Sequence, residues 1–182
     1  MARIPYYDPA KAPPKLAELM GKIKPQLNIF RALANSDPVT RGFVQLGNAI
    51  LMRGKLSPAL REIAILRVGW LSRASYEIFQ HERIGRDAGL SEDKLRAVAS
   101  GPQNSAFDKQ EKAVLLYTDD VVNNVRASDE TLNAVKAFLD TEQVVELTVT
   151  IGYYMMVSRF LESMGVDDES GQAEWRAKHM AR

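Results

Sequence analysis

The 182-residue chain has no cysteine. Disulfides, thiolate metal sites and every thiol nucleophile are therefore absent from its chemistry. Histidine is scarce too: only His81 and His179 occur. Neither sign of charge dominates, since 24 Lys and Arg against 23 Asp and Glu leave a formal charge of +1. No Lys/Arg run forms the stripe that phosphate neutralisation needs, which argues against a nucleic-acid partner. Glycine (11) and proline (8) are too sparse for a disordered or repetitive polymer. Long apolar runs are missing as well. The longest, Val144 to Val157, contains Glu146 and falls short of the roughly 18–20 residues that span a bilayer. A buried helix, with no membrane partner, is the expectation. The first residues, Met1 to Asp8, hold no apolar run resembling a signal-peptide core, so a cytoplasmic location is expected. No Gly-rich phosphate loop, nucleophile elbow or dinucleotide fingerprint occurs, and no cofactor is expected.

What is present is a normal globular load of 46% hydrophobic residues, enough for one domain that buries roughly 70% of its unfolded surface. The periodicity predicts an all-α bundle over residues 1–182. An extended arm with four prolines, residues 1–14, precedes it and a polar tail, residues 169–182, ends it. Arm and tail are expected to dock loosely or on a neighbouring copy. Short helices are predicted at Lys15 to Gly21 and Asn28 to Ala34. Asp37-Pro38 and Ser57-Pro58 each have the grammar of an N-cap followed by proline at the first helical position. The helix after Pro58 is apolar nearly all round and should be central and buried. Ser75 should cap a helix running to Ala88 and stopped by Gly89. Further helices are predicted at Ser91 to Ala99, Phe107 to Val125, after Ser128 and after Thr141, the last covered on all sides apart from Glu146. Leu60-x-Glu62-Ile63 and Val144-x-Glu146-Leu147 suggest two related helix openings, on only four positions.

The chemistry concentrates between Glu62 and His81. Ala74, Ile78, His81, Gly85 and Ala88 share one helical face, which places His81 in the middle of an apolar stripe. One reading is a hydrogen-bonded core histidine. The other is a proton donor or acceptor in a pocket, because an imidazole titrates near neutrality. Glu77 precedes His81 by four residues and can lie over the ring, although that spacing by itself favours an ordinary surface ion pair. Glu62 and Arg67 interrupt a helix that otherwise reads as buried, and buried charges need partners. They sit about 140° apart on the helix, so they should not pair with each other. Glu62 could instead simply favour the positive end of its helix. Glu62, Glu77, His81 and Glu82 lack the Glu-x-x-His or His-x-x-x-His spacings of helical metal sites, so no metal is expected.

The run Arg61-Glu62-Ile63-Ala64-Ile65-Leu66-Arg67-Val68, followed by Tyr76-Glu77-x-x-x-His81 and Ala88-Gly89-Leu90, resembles the carboxymuconolactone decarboxylase and alkylhydroperoxidase D-like superfamily. The likeness is specific over Leu56 to Leu95 and looser elsewhere. It implies an all-helical fold and a homo-oligomer, a trimer or a multiple of one. In the peroxidase branch, Glu is followed after eleven residues by Cys, after two more by Cys, and after three more by His. That spacing here gives Glu62, Ala74, Glu77 and His81. Both sulfurs are gone, so thiol peroxidase chemistry should not transfer. The decarboxylase branch does not depend on the dithiol. By that resemblance the chain is a cofactor-free lyase or isomerase acting on a small carboxylated or lactone-like metabolite. His81, Glu62 and Glu77 would be its catalytic groups, with Arg67 and Tyr76 binding the substrate. The alternative is a non-catalytic helical oligomer that retains the frame.

Overall fold

The computed structural model describes residues 1–180, and among them no strand occurs. Ten α-helices follow one another: α1 Pro14–Lys22, α2 Asn28–Leu33, α3 Asp37–Met52, α4 Pro58–Ser72, α5 Ser75–Asp87, α6 Glu92–Ala97, α7 Lys109–Asn124, α8 Asp129–Lys136, α9 Thr141–Met164 and α10 Gln172–His179. Two compact units can be distinguished. One holds Met1–Met52 and the chain from Phe160 onward, the other Arg53–Arg159.

In the first unit, Leu16, Met20 and Ala34 form a buried cluster against which Tyr7, Ile23 and Phe30 pack. The N-terminal arm is tied to its own chain. The Tyr7 amide donates to the Arg31 carbonyl at 2.9 Å and the Arg3 amide to that of Met164 at 2.8 Å. The Tyr6 hydroxyl bonds Asp167 at 3.0 Å, and the Arg31 guanidinium lies 4.6 Å above the Tyr6 ring. Much of the tail is helical as α10, which buries Gln172. Arg176 secures it by pairing with Asp168. Residues 181 and 182 of the tail lie outside the described residues.

The second unit is built round α4. Ile63, Ala64, Ile65 and Val68 of this helix are wholly buried, and α5 and α7 pack along it. Pro58 supplies its first turn, but the Ser57 side chain makes no capping bond. α4 ends where Arg73 adopts a left-handed conformation at φ 55°, which turns the chain so that α5 returns along α4. Close approach depends on Gly69, because a Cβ there would lie 2.9 Å from Ile78 Cγ1. α5 starts at Ser75 with Ala74 as its N-cap, one residue earlier than expected, and Gly89 (φ 93°) follows its end. α7 has a capping box between Asp108 and Glu111.

α9 corrects two expectations. Its start is secured by Asp140, whose carboxylate accepts the Gln143 amide at 2.9 Å while Gln143 Oε1 accepts the Asp140 amide at 3.0 Å. Nor is it covered on all sides, since Val145, Val149 and Met156 are 56%, 40% and 46% exposed. By length and composition this 24-residue helix could cross a membrane, a test that the core helix of a soluble protein also passes.

Candidate functional site

The first turns of α4 carry Arg61 and Glu62, and the first half of α5 carries Glu77 and His81. Because Gly69 lets α5 settle on α4, the three titratable groups expected from the sequence meet. Glu62 is completely buried. Its Oε2 lies 2.6 Å from His81 Nδ1, and its Oε1 accepts a hydrogen bond from Arg61 Nε at 3.0 Å. On the opposite edge of the ring, His81 Nε2 lies 3.1 Å from Glu77 Oε1.

A neutral imidazole has one N–H and could donate to only one carboxylate. The imidazolium has two and satisfies both. Burial pushes the His81 pKa down, but Glu62 first and Glu77 second outweigh it and raise it to about 10. The cluster therefore holds a cation between two anions, and Arg61 supplies the second positive charge. Opposite charges at hydrogen-bond distance are what allow four ionisable side chains to stay so far from water.

Two tyrosines of α9 complete the surroundings. The Tyr154 ring stands edge-on to His81, with centroids 4.8 Å apart and planes at 82°. Tyr153 packs against Tyr154 at 5.2 Å and 77°. Burial, reinforced by Glu77 and Glu62, raises the Tyr154 hydroxyl well above its ordinary range, and burial with Glu77 does the same to Tyr153. Both phenols thus remain protonated at neutral pH. The two carboxylates bind opposite edges of one ring and do not converge on a point. Among the described residues no group of three such side chains has the geometry to hold a metal ion.

Arg67, expected to hold a substrate carboxylate, does not join this cluster. Its Nε and Nη2 grip Asp119 at 2.6 and 3.0 Å. Its Nη1 donates to the carbonyls of Val98 and Ala99 at 3.0 and 3.1 Å. The guanidinium lies over Gly101, where a Cβ would come within 2.9 Å of Nη2. It is a clamp between α4, α7 and the segment after α6. Tyr76 is buried on α5 beside Glu77, about 140° round the helix from His81. The arginine that does reach Glu62 is its neighbour Arg61, which the spacing argument passed over. Tyr154 was equally hidden, because nothing in a sequence links it to residues on α4 and α5.

Residues 37–120 match the model of the carboxymuconolactone decarboxylase family, a segment that contains Arg61, Glu62, Glu77 and His81. No curated protein matches the chain. Several solved structures share its fold. One is the alkylhydroperoxidase AhpD core of an uncharacterised peroxidase-related protein from Ralstonia eutropha JMP134, at 16% identity and TM-score 0.80, covering 94% of each chain. Another is a protein of unknown function from Agrobacterium tumefaciens, a candidate antioxidant defence protein AhpD, at 21% identity and TM-score 0.69, covering 76% of this chain and 95% of that one. A third is the debrominase Bmp8, in a cysteine-to-alanine variant holding 2,3,4-tribromopyrrole, at 12% identity and TM-score 0.79, covering 98% and 99%. The segment that is similar to the carboxymuconolactone decarboxylase family spans α4 and α5, the fold is that of the alkylhydroperoxidase D-like structures, and the chain has no cysteine.

Proposed function

We propose that this protein is a lyase or isomerase of the decarboxylase type, acting by general acid–base chemistry on a small carboxylated or lactone-like metabolite. One observation carries the reading: each ring nitrogen of the buried His81 meets a different carboxylate. Such a ring is loaded with protons at neutral pH, and Glu77 stands where the peroxidase branch has its second thiol.

Loss of carbon dioxide from a carbon conjugated to a carbonyl breaks the C–C bond and sends its electron pair into the carbonyl as an enolate. Protonation at carbon then completes the reaction. His81 supplies that proton from Nε2 through Glu77, and water restores it. An acid with a pKa of about 10 suffices, because an enolate is a strong base. Glu62, on Nδ1, holds the ring in orientation and keeps it charged between turnovers. The Tyr154 ring packs on His81, and the burial of Glu62, Glu77 and His81 strengthens each of these interactions.

The test is turnover of unsaturated lactone carboxylates and β-keto acids in D2O, followed by NMR. Deuterium should enter the product carbon, and His81→Gln should slow that step about 10²–10⁴-fold in the fraction that stays folded, because removing the cation between Glu62 and Glu77 also costs stability. If the variant incorporates deuterium as fast as the wild type, the acid–base role is wrong. The near-complete burial of His81, with 7% of its side chain exposed, favours a second reading, a non-catalytic helical oligomer with an ionic core. Under that reading His81→Gln would cost stability and change no turnover. The apolar stripe of Val145, Val149 and Met156 supports self-association under either reading.

A further inference from the structure

Arg61 is buried, with 9% of its side chain exposed, yet it uses only part of its hydrogen-bonding capacity. Its Nε donates to Glu62. Neither Nη1 nor Nη2 bonds another described residue, and neither is among the side-chain atoms that are both unpartnered and sealed from solvent, as Arg41 Nη2 is. Among the described residues the two Nη atoms therefore have no hydrogen-bond partner and are not sealed from solvent. A guanidinium has two edges that match a carboxylate, and the end formed by the two Nη atoms is the one left open here.

We propose that Arg61 is the anion anchor of the site and receives a substrate carboxylate, end-on, through Nη1 and Nη2. This rests on the acid–base reading above and adds to it a substrate that must carry a planar carboxylate beside the reacting carbon. Holding that group on Arg61 puts the substrate one guanidinium away from Glu62. The anchor also explains why an arginine precedes Glu62 in a helix whose other early positions are apolar. Glu62, Glu77, His81 and Arg61 sum to zero charge, so an arriving carboxylate leaves the cluster with one net negative charge. By linkage its binding favours the charged ring of His81, so affinity is lost only as pH climbs through the range in which that ring releases its proton.

The probes are fumarate and its uncharged isostere fumaramide, titrated into the full-length protein and read by calorimetry and by the side-chain 15N resonances of arginine and histidine. Fumarate should bind in the millimolar range or tighter and shift the Arg61 signals, with fumaramide at least about tenfold weaker. Arg61→Lys keeps the charge and loses the fork, and should weaken fumarate about tenfold or more. Equal affinity for the two probes, no fumarate binding at millimolar concentration, or an unchanged affinity in Arg61→Lys would each overturn the anchor. Should the lysine variant misfold, the contrast between the two probes on the wild type still decides. His81→Gln separates this proposal from the one on which it rests. Fumarate binding that depends on Arg61, with turnover indifferent to His81, keeps the anchor and sinks the acid–base role. Turnover that needs His81, with binding indifferent to Arg61, does the reverse.

Discussion

Replacing Glu62 by Gln is the sharpest test of the electrostatics, because it removes the larger of the two carboxylate effects on His81 and keeps the shape. In the native protein His81 rises from 6.5 to about 10. At about 1.4 kcal/mol per pH unit, that difference corresponds to about 5 kcal/mol of preference for the charged ring. A raised histidine pKa contributes stability that is complete below the unfolded value of about 6.5 and is lost as pH climbs through the folded value. Between about pH 7 and 10 the folded state holds a proton that the unfolded state has released. Stability should therefore fall by about 1.4 kcal/mol per pH unit across that window. In Glu62→Gln burial becomes the dominant influence, the ring is neutral at pH 7, and this contribution to the slope vanishes. Urea unfolding of both proteins at half-unit steps from pH 6.5 to 10 measures it. The difference between the two curves cancels the lysines and tyrosines that titrate alike in each. Imidazole 15N shifts report the ring directly. Parallel stability curves would mean that Glu62 does not hold the proton on His81, and the charged-ring argument would be lost with it.

Three further outcomes follow from the same geometry. Arg67→Ala should cost about 3 kcal/mol, since it strands Asp119 and two carbonyls, while the His81 resonances stay in place; a shift in those signals would mean that Arg67 reaches the site. Gly69→Ala should cost about 1–3 kcal/mol by forcing Ile78 away, and unlike the Arg67 variant it should disturb the His81 signals as α5 lifts from α4. Light scattering should show a homo-oligomer that Val149→Asp dissociates, because it buries a charge in the exposed stripe of α9; a monomeric wild type at micromolar concentration would refute self-association.

The helices were legible in the sequence where local signals are strong. Pro58 starts α4 and Ser128 caps α8, accepting the Thr131 amide. Glutamine at 143 and aspartate at 140 form a reciprocal cap that the more familiar threonine at 141 disguised. The site was legible as a set of positions because i,i+4 spacing placed Glu77 over His81, and because a carboxylate in an apolar helix demands a partner. That partner could not be identified by sequence position. The resemblance suggested Arg67 for the substrate, yet the bidentate grip of Asp119, 52 residues downstream, is a tertiary fact without a local signature. Arg61 was overlooked for the opposite reason. Consecutive residues on a helix point about 100° apart, and only the long reach of an arginine lets it curl back onto its neighbour.

Glu62 and Glu146 show why a shared sequence pattern does not imply a shared role. Each lies in an early turn of an apolar helix and each needs its charge compensated. Glu146 finds backbone: its carboxylate accepts the amides of Lys55 and Leu56 at 3.0 and 2.7 Å and packs over Gly54, where a Cβ would come within 3.1 Å. Those amides cannot titrate, so the contact can only fix the loop ahead of α4. Glu62 finds an imidazole and a guanidinium instead. Of its two partners, the imidazole can give up a proton, here with a pKa raised to about 10, and the guanidinium cannot. A buried carboxylate becomes a candidate for proton transfer when its partner can change charge, and of these two glutamates only Glu62 meets that condition.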